Sequence, residues 1–347
     1  MAVSMQDIAT AAGVSLSTVS RALAGSPRVA PDTRAQIQRL AHERGYVPSA
    51  IAHALATRRT YSLGVVVMDI TDPFIAELVR AVDRIALDHG YTLILTHCGA
   101  DPERELVAIH RLRQQRVDAI VVCDPSVAES SLPLLELAGV PVILVNRPSF
   151  RYAACTDNVQ GARQAAEHLL DLGHTRIGYI GWRRHEEQNR DRQAGLEQAL
   201  AGYGLGLDPA LVVDGDGWPE GGRRGVQVLL ALTQPPTALF CFNDLSAIGA
   251  MEAAQAAGWR VPADLSVVGF DDIYLARYAH PALTTVAQPC NALAHRTVHM
   301  ALDLIAGVEP PAGAPLPARL VVRSSTDHPR PDGHAKPLRS DEGGGSR

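Results

Sequence analysis

The chain has 347 residues, 46% of them apolar and 20% charged, with a formal net charge of −5. That length suits two or three domains, and that balance describes an ordinary soluble globular protein. A single lysine, Lys336, excludes a Walker phosphate loop, and no apolar run reaches the length of a membrane span.

The net charge hides an asymmetry. Residues 1–60 hold seven arginines against three acidic residues, which leaves 25 basic and 34 acidic residues for the remainder. A basic head on an acidic body directs only the head toward a polyanion, and with so modest a charge one copy binds weakly and salt-sensitively. The five cysteines, Cys98, Cys123, Cys155, Cys241 and Cys290, form no C-x-x-C pair, and four of them lie in or beside apolar runs. Buried free thiols in a reducing compartment fit that usage. No signal peptide is recognisable at the start, so the expectation is a cytoplasmic, nucleoid-associated protein.

In chain order, Ser4 followed by Asp7 has capping-box spacing, so a helix starts at Met5 with Ile8 and Ala12 on its apolar stripe. Gly13 allows a tight turn of positive φ. Ser15 caps a second helix on which Val19 and Leu23 face the first. The outward face is then Leu16, Ser17, Thr18, Ser20 and Arg21. Short donors and acceptors with one guanidinium suit a DNA groove better than the Glu and Lys of an ordinary solvated face. Two helices meeting in this way make a helix-turn-helix whose second helix fits the major groove. A third helix runs from Pro31 to about Arg44, with Ile37, Leu40 and Ala41 as its core face and no side-chain cap at Ala30. Ser49 to Ala56 is a short helical pattern too poor in apolar residues for a core of its own and marginal in water.

From Leu63 apolar runs alternate with amphipathic stretches. Strands are predicted at Leu63–Met68, Tyr91–Thr96, Ala119–Cys123, Val142–Val145, Arg176–Ile180, Ala238–Phe242, Ser266–Phe270 and Leu320–Val322. Helices are predicted at Pro73–His89, Asp101–Gln115, Val159–Leu172, Arg190–Tyr203, Gly221–Leu232, Leu245–Ala257 and Asn291–Ile305. Alternation of this kind gives parallel sheets covered by helices, and the restart at Leu172-Gly173-His174 divides them into two doubly wound subdomains. His328 to Arg347 reads as a disordered tail.

The run DIATAAGVSLSTVSRALAG, with the Thr-Arg of APDTRAQIQRLAHERGYVPSAIAHALAT, resembles the N-terminus of the lactose-repressor (LacI/GalR) family of bacterial transcription regulators. The markers DITDPF, LGH, RQAGL, FND and SVVGFDD extend the resemblance to that family's periplasmic-binding-protein-like effector domain. It implies a helix-turn-helix domain over 1–47 and a hinge helix and linker over 48–60. An effector-binding α/β domain follows over 61–327, with an N-subdomain at about 61–158 and 289–318 and a C-subdomain at about 159–288 and 319–327. Leu16, Ser17 and Arg21 are then the base-reading residues, and Ser15, Thr18 and Ser20 the phosphate contacts. Ser49, His53 and Leu55 form the minor-groove hinge, with Leu55 as the wedge.

Ligands of open α/β sheets sit outside the carboxyl ends of the strands. Asp69, Asn146, Asn243 and Asp271 each follow a predicted strand, where a polar residue either meets a ligand or caps the next helix. Arg192 opens a predicted helix near its positive end, a poor place for a cation without a carboxylate or ligand partner. The family sets an arginine and an aspartate at the Arg192 and Asp271 positions against ligand hydroxyls. Phe74 and Trp218 are candidate stacking walls, although Asp72 replaces the family's usual asparagine and the spacing of GDGWPEGG leaves Trp218 open to a shift of one.

His295 and His299 stand i,i+4 without a third ligand at a recognisable spacing, which favours plain surface histidines over a metal site. No cofactor, metal or catalytic residue is expected, and neither a G-x-S-x-G elbow nor an H-E-x-x-H motif is present. The resulting expectation is a repressor of carbohydrate-metabolism genes that binds a palindromic operator as a homodimer under control of a sugar-like effector. The residues after Thr326 include a single leucine, Leu338, which excludes a heptad zipper and a tetramer built on one. Two alternatives stand beside it: a family member activated by a corepressor such as a purine, and a sugar-binding protein or enzyme without DNA function.

Overall fold

A computed structural model describes residues 3–23, 25–46, 59–99, 101–125, 133, 135, 139–183, 185–311 and 313–330. Ser49, His53 and Leu55 lie outside the described residues. The chain divides into two compact units, Met1–Ser62 and Leu63–Arg347.

The first unit is a three-helix cluster: α1 (Met5–Ala12), α2 (Leu16–Leu23) and α3 (Pro31–Glu43). The capping box forms as the spacing predicts, with Ser4 N–H donating to Asp7 Oδ2 at 2.8 Å and Asp7 N–H to Ser4 Oγ at 3.2 Å. Gly13 takes φ +66°, the left-handed turn between α1 and α2. Ile8, Ala9, Val19, Ala22, Val29, Ile37 and Ala41 make the core. Arg34 closes the loop ahead of α3 by donating to the carbonyls of Ser26 at 2.9 Å and Val29 at 3.2 Å. That is what the Thr-Arg pair does here. Ala30 provides no side-chain cap, as predicted.

The second unit holds two sheets. The first contains β1 (Ser62–Val67), β2 (Thr92–His97), β3 (Ala119–Cys123), β4 (Val142–Val145) and β5 (Ala153–Ala154), in the order β2-β1-β3-β4-β5. Helices α4 (Pro73–Asp88) and α5 (Pro102–Gln114) belong with it. The second contains β6 (Ile177–Gly181), β7 (Val212–Asp214), β8 (Ala238–Cys241), β9 (Ser266–Asp271), β10 (Thr284–Ala287) and β11 (Arg319–Val321), in the order β11-β10-β9-β8-β6-β7. Only β11 is antiparallel to its neighbour among the described pairings.

The second sheet is buried on both faces. Tyr179, Phe240, Val268 and Phe270 face α6 (Asn158–Asp171) and α7 (Glu186–Gly202), while Ile180, Leu239, Cys241 and Val267 face α8 (Pro219–Leu230) and α9 (Asp244–Ala256). Continuous apolar strands are what a parallel sheet covered on both sides requires. Gly195 explains the RQAGL marker. A Cβ there would sit 2.8 Å from Ala162 Cβ and run into the Val159 carbonyl, so glycine lets α7 lie close on α6.

The chain crosses between the sheets three times: after β5, after β10 into α10 (Cys290–Ile305), and before β11. Helix α10 packs on α4, β3 and β4, which returns it to the first sheet. The crossings are tied together, since Thr156 bridges to Leu316 and its hydroxyl donates to Gln288 Oε1 at 2.6 Å.

Three short strands, β5, β7 and β10, were not foreseen, and the other element boundaries move by a few residues at most. The larger difference is α7. It begins at Glu186, so Arg192 lies two turns inside the helix and not at its positive end. The helix dipole therefore does not explain the arginine. His328 and Arg330, expected in a disordered tail, are held by the body: His328 Nδ1 meets the Leu172 carbonyl at 2.8 Å and Arg330 pairs with Asp264 at 2.7 Å, while residues 331–347 lie outside the described residues.

Candidate DNA-reading helix and ligand cleft

On α2, Val19 and Ala22 point into the three-helix core, so the helical period turns Leu16, Ser17, Ser20 and Arg21 outward. Leu16 is 46% exposed, unusual for a leucine with a core beside it. Ser15 Oγ accepts from Thr18 N–H at 3.2 Å and lies 2.9 Å from Ser17 Oγ. The Ser15 hydroxyl thus fixes the start of the helix, and Thr18 is half-buried beside it. The outer face thus presents an apolar side chain, two hydroxyls and a guanidinium.

In the second unit the strand orders name two places. Connections leave β1 and β3 in opposite directions in the first sheet, and β6 and β8 in the second. Such switch points open crevices at the carboxyl ends of the strands. Residues from both sheets meet there. Arg192 is 2% exposed and reaches out of α7. Its Nε donates to Asn158 Oδ1 at 2.9 Å, Nη1 donates to the Phe242 carbonyl, and Nη2 lies 3.8 Å from Asp271 Oδ1. Its guanidinium carbon stands 3.7 Å from the centre of the Phe270 ring and 4.3 Å from that of Phe242. A planar cation suits such a stack.

Asp271 accepts from Gln288 Nε2 at 2.7 Å. Gln288 Oε1 in turn faces Asn146 Nδ2 at 3.5 Å, and Asn146 Nδ2 donates to Asp124 Oδ1 at 3.2 Å. Gln188 on α7 also donates to Asp124, at 3.0 Å. Burial pushes the Asp271 carboxyl well above the usual range, with Arg192 pulling against it. Burial, helped by the charge of Asp124, pushes Asp72 up to about 6. The crevice therefore combines a guanidinium, three carboxylates and three primary amides.

Of the residues singled out in the sequence, Asn146, Arg192 and Asp271 are brought together. Phe74 is buried directly behind Asp72 at the start of α4. Asp69 turns back on its own loop, accepting from Thr71 N–H at 2.8 Å and Thr71 Oγ1 at 2.7 Å. Asn243 caps α9 by accepting from Ser246 N–H and donates to the Gly217 carbonyl, both at 2.9 Å, so both ends of its amide are engaged by the fold. Trp218 stands at the start of α8 and packs on the apolar cluster of α8 and α9. Sequence reasoning missed Asp124, Trp182, Gln188, Phe242 and Gln288. Asp124 follows a predicted strand directly, so the rule that pointed to Asn146 would have pointed to it; Trp182 and Phe242 follow strands only at their observed ends, one residue away from the predicted ones. His295 and His299 lie with ring centres 4.1 Å apart, and no group of three metal-ligating side chains stands among the described residues.

Residues 4–49 match the model for bacterial regulatory proteins of the lacI family, and residues 166–326 match a periplasmic binding protein-like domain. The transcriptional regulator GalS of Salmonella typhimurium is 38% identical over 310 residues, 88% of this chain and 91% of GalS. The chain belongs to the lacI family. A lac repressor dimer bound to operator and the anti-inducer ONPF superposes with a TM-score of 0.85 at 28% identity, covering 94% of this chain and 100% of that one. A complex of the regulator CelR with cellobiose gives 0.71 at 31% identity over 93% and 99% of the two chains. This chain is accordingly a ligand-responsive, DNA-binding transcriptional regulator, with the helix-turn-helix in its first unit. No helix among the described residues is long and apolar enough to cross a membrane.

Proposed function

We propose that the protein is a cytoplasmic repressor of carbohydrate-metabolism genes. It binds a palindromic operator as a homodimer and responds to a small, neutral, hydroxyl-rich effector in the crevice between the two sheets. The observation that carries the effector class is the buried Arg192–Asp271 pair, linked through Gln288 to Asn146 on the other sheet. Paired guanidinium and carboxylate groups read adjacent hydroxyls through directional hydrogen bonds, and amides complete the set for an uncharged ligand. CelR bound to cellobiose supports a sugar over an apolar metabolite. Asn146, Arg192 and Asp271 form the core of this site, with Phe74 behind it.

Leu16, Ser17 and Arg21 read bases, and Ser15, Thr18 and Ser20 hold the backbone. Ser49, His53 and Leu55 supply the minor-groove hinge, on the sequence resemblance alone. The ligand acts by its differential affinity for the two arrangements of the sheets.

The test selects an operator from random duplexes with the full-length protein. It then measures its release, alongside thermal shift, with D-glucose, D-galactose, cellobiose, cytidine and adenine. A sugar that both stabilises the protein and changes operator affinity is the expected result. A response to adenine alone would replace the sugar-like effector by a purine.

A further inference from the structure

The switch point of the second sheet identifies a residue with no assigned role. Gly181 ends β6 and Trp182 follows it; Cys241 ends β8 and Phe242 follows it. Met68 follows β1 at the switch point of the first sheet. Met68, Trp182 and Phe242 form one buried apolar cluster, so the side chains beyond three strand ends converge from both sheets. The Trp182 and Phe242 rings meet edge to face at 5.5 Å, and the same Phe242 ring carries the Arg192 guanidinium. Trp182 is therefore one ring away from the Arg192–Asp271 pair. The His185 ring lies 4.1 Å from it and continues the aromatic wall.

Gly217 shows that this place is built for the indole. Its φ is +77°, and a Cβ on it would run into the six-membered ring of Trp182. Asn243 fixes Gly217 there through its carbonyl. The space that a side chain at position 217 would occupy is thus taken by Trp182, and Trp218, one residue on, turns to the core of α8 and α9. Trp182 is 8% exposed, and its backbone N–H is held by Asn189 Oδ1 at 2.9 Å. An indole N–H at the edge of a polar crevice ordinarily takes a hydrogen-bond partner. Its burial does not separate it from the site, because Arg192 is buried more deeply still.

We propose that Trp182, and not Trp218, is the aromatic contact of the effector, with its indole N–H donating to an oxygen of a neutral pyranose. This rests on the sugar-like reading of the crevice. The test uses two full-length proteins, Trp218→Phe/Trp259→Phe, in which Trp182 alone emits, and Trp182→Phe/Trp259→Phe, in which Trp218 alone emits. Each is titrated with D-glucose, D-galactose and cellobiose while the thermal shift of the unmodified chain is followed. The expected result is a sugar that changes the emission of Trp182 and leaves that of Trp218 unchanged. Trp182→Leu should then bind that sugar about tenfold more weakly, the worth of one hydrogen bond, with its circular dichroism intact. A sugar that stabilises the chain but leaves Trp182 emission unmoved overturns the assignment and leaves the sugar reading standing. If none of the three stabilises the chain, both fall.

Discussion

Arg192 Nη2 stands 3.8 Å from Asp271 Oδ1, farther than the 2.9 Å from Arg192 Nε to Asn158. The guanidinium is also held by the Phe242 carbonyl and two aromatic rings, so it does not depend on Asp271 for its place in the fold. The two residues should therefore separate on mutation. Arg192→Ala leaves a cavity and unpaired acceptors in the core, and should cost about 3–5 kcal/mol in urea unfolding. Asp271→Asn should keep the operator affinity of the ligand-free protein and lose the ligand response. An Asp271→Asn protein as unstable as Arg192→Ala would make the aspartate a structural partner of the arginine.

Much of this architecture is legible in the sequence because its determinants are local. The Ser4–Asp7 box, Gly13 and the Val19 stripe act within a few residues, and the apolar runs of β1, β3 and β4 are continuous. What escaped depends on distant partners. Thr284 and Thr285 in β10 look polar, yet both are buried, their hydroxyls bonded to Arg323 N–H and Asp244. With β10 unseen, Gln288 just after it could not be placed at a strand end. Of the two grounds for singling out Arg192, the family resemblance and the helix end, the second does not hold: its environment is set by Asn158, Phe242 and Phe270, from three different elements, and no helix-end argument contains them.

The pH dependence of stability should split into two opposed parts. His174 is buried, with its ring nitrogens meeting Thr237 and Ser266 hydroxyls and the Asp327 carbonyl, and burial holds its pKa below the ordinary value. A lowered folded pKa means that the unfolded chain binds the proton more readily. The His174 contribution is thus complete above the unfolded histidine range near 6.5 and is lost as pH falls through the folded value. Burial pushes Asp244 the other way, up to about 7. Its contribution is complete below the unfolded carboxylate range and is lost as pH rises through about 7. Melting curves from pH 5 to 8 should show His174→Gln with less acid loss than the unmodified chain. Asp244→Asn should show less alkaline loss. Parallel curves for all three proteins would place the pH sensitivity elsewhere.

Glu187 closes the crevice from the side of α7. Its carboxylate pairs with Arg147 Nε at 3.0 Å and accepts from Ser149 Oγ at 2.6 Å and Ser149 N–H at 3.3 Å. Arg147 and Ser149 follow β4 of the first sheet, so these bonds join the two sheets across the crevice. Hydrogen bonds to a charged group contribute about 1.5–3 kcal/mol each when buried, and the clasp offers two, both from Ser149, beside the Arg147 ion pair. Glu187→Ala should open the crevice, seen as a larger radius of gyration by small-angle scattering, with the secondary structure unchanged. An unaltered scattering profile would mean that Gln188 and Gln288 hold the sheets together without it.

Arg21 and Leu16 make the sharpest prediction for DNA. Both lie on the exposed face of α2, one a fork of donors and the other an apolar surface with no core to fill. A guanidinium can bind the two acceptors on a guanine edge at once, and a leucine can cover a thymine methyl. Ser15 stands at the start of α2 with its hydroxyl 2.8 Å from that of half-buried Thr18, a place for holding the DNA backbone more than for reaching base edges. Arg21→Ala should then cost about 1–3 kcal/mol per half-site and relax specificity at one base pair. Leu16→Ala should weaken binding at a different base pair, and Ser15→Ala should weaken cognate and scrambled duplexes alike. Selection from random duplexes with each variant measures all three at once. If Arg21→Ala discriminates cognate from scrambled DNA in the ratio of the unmodified protein, the guanidinium contacts phosphate, and base reading belongs to other residues of the helix.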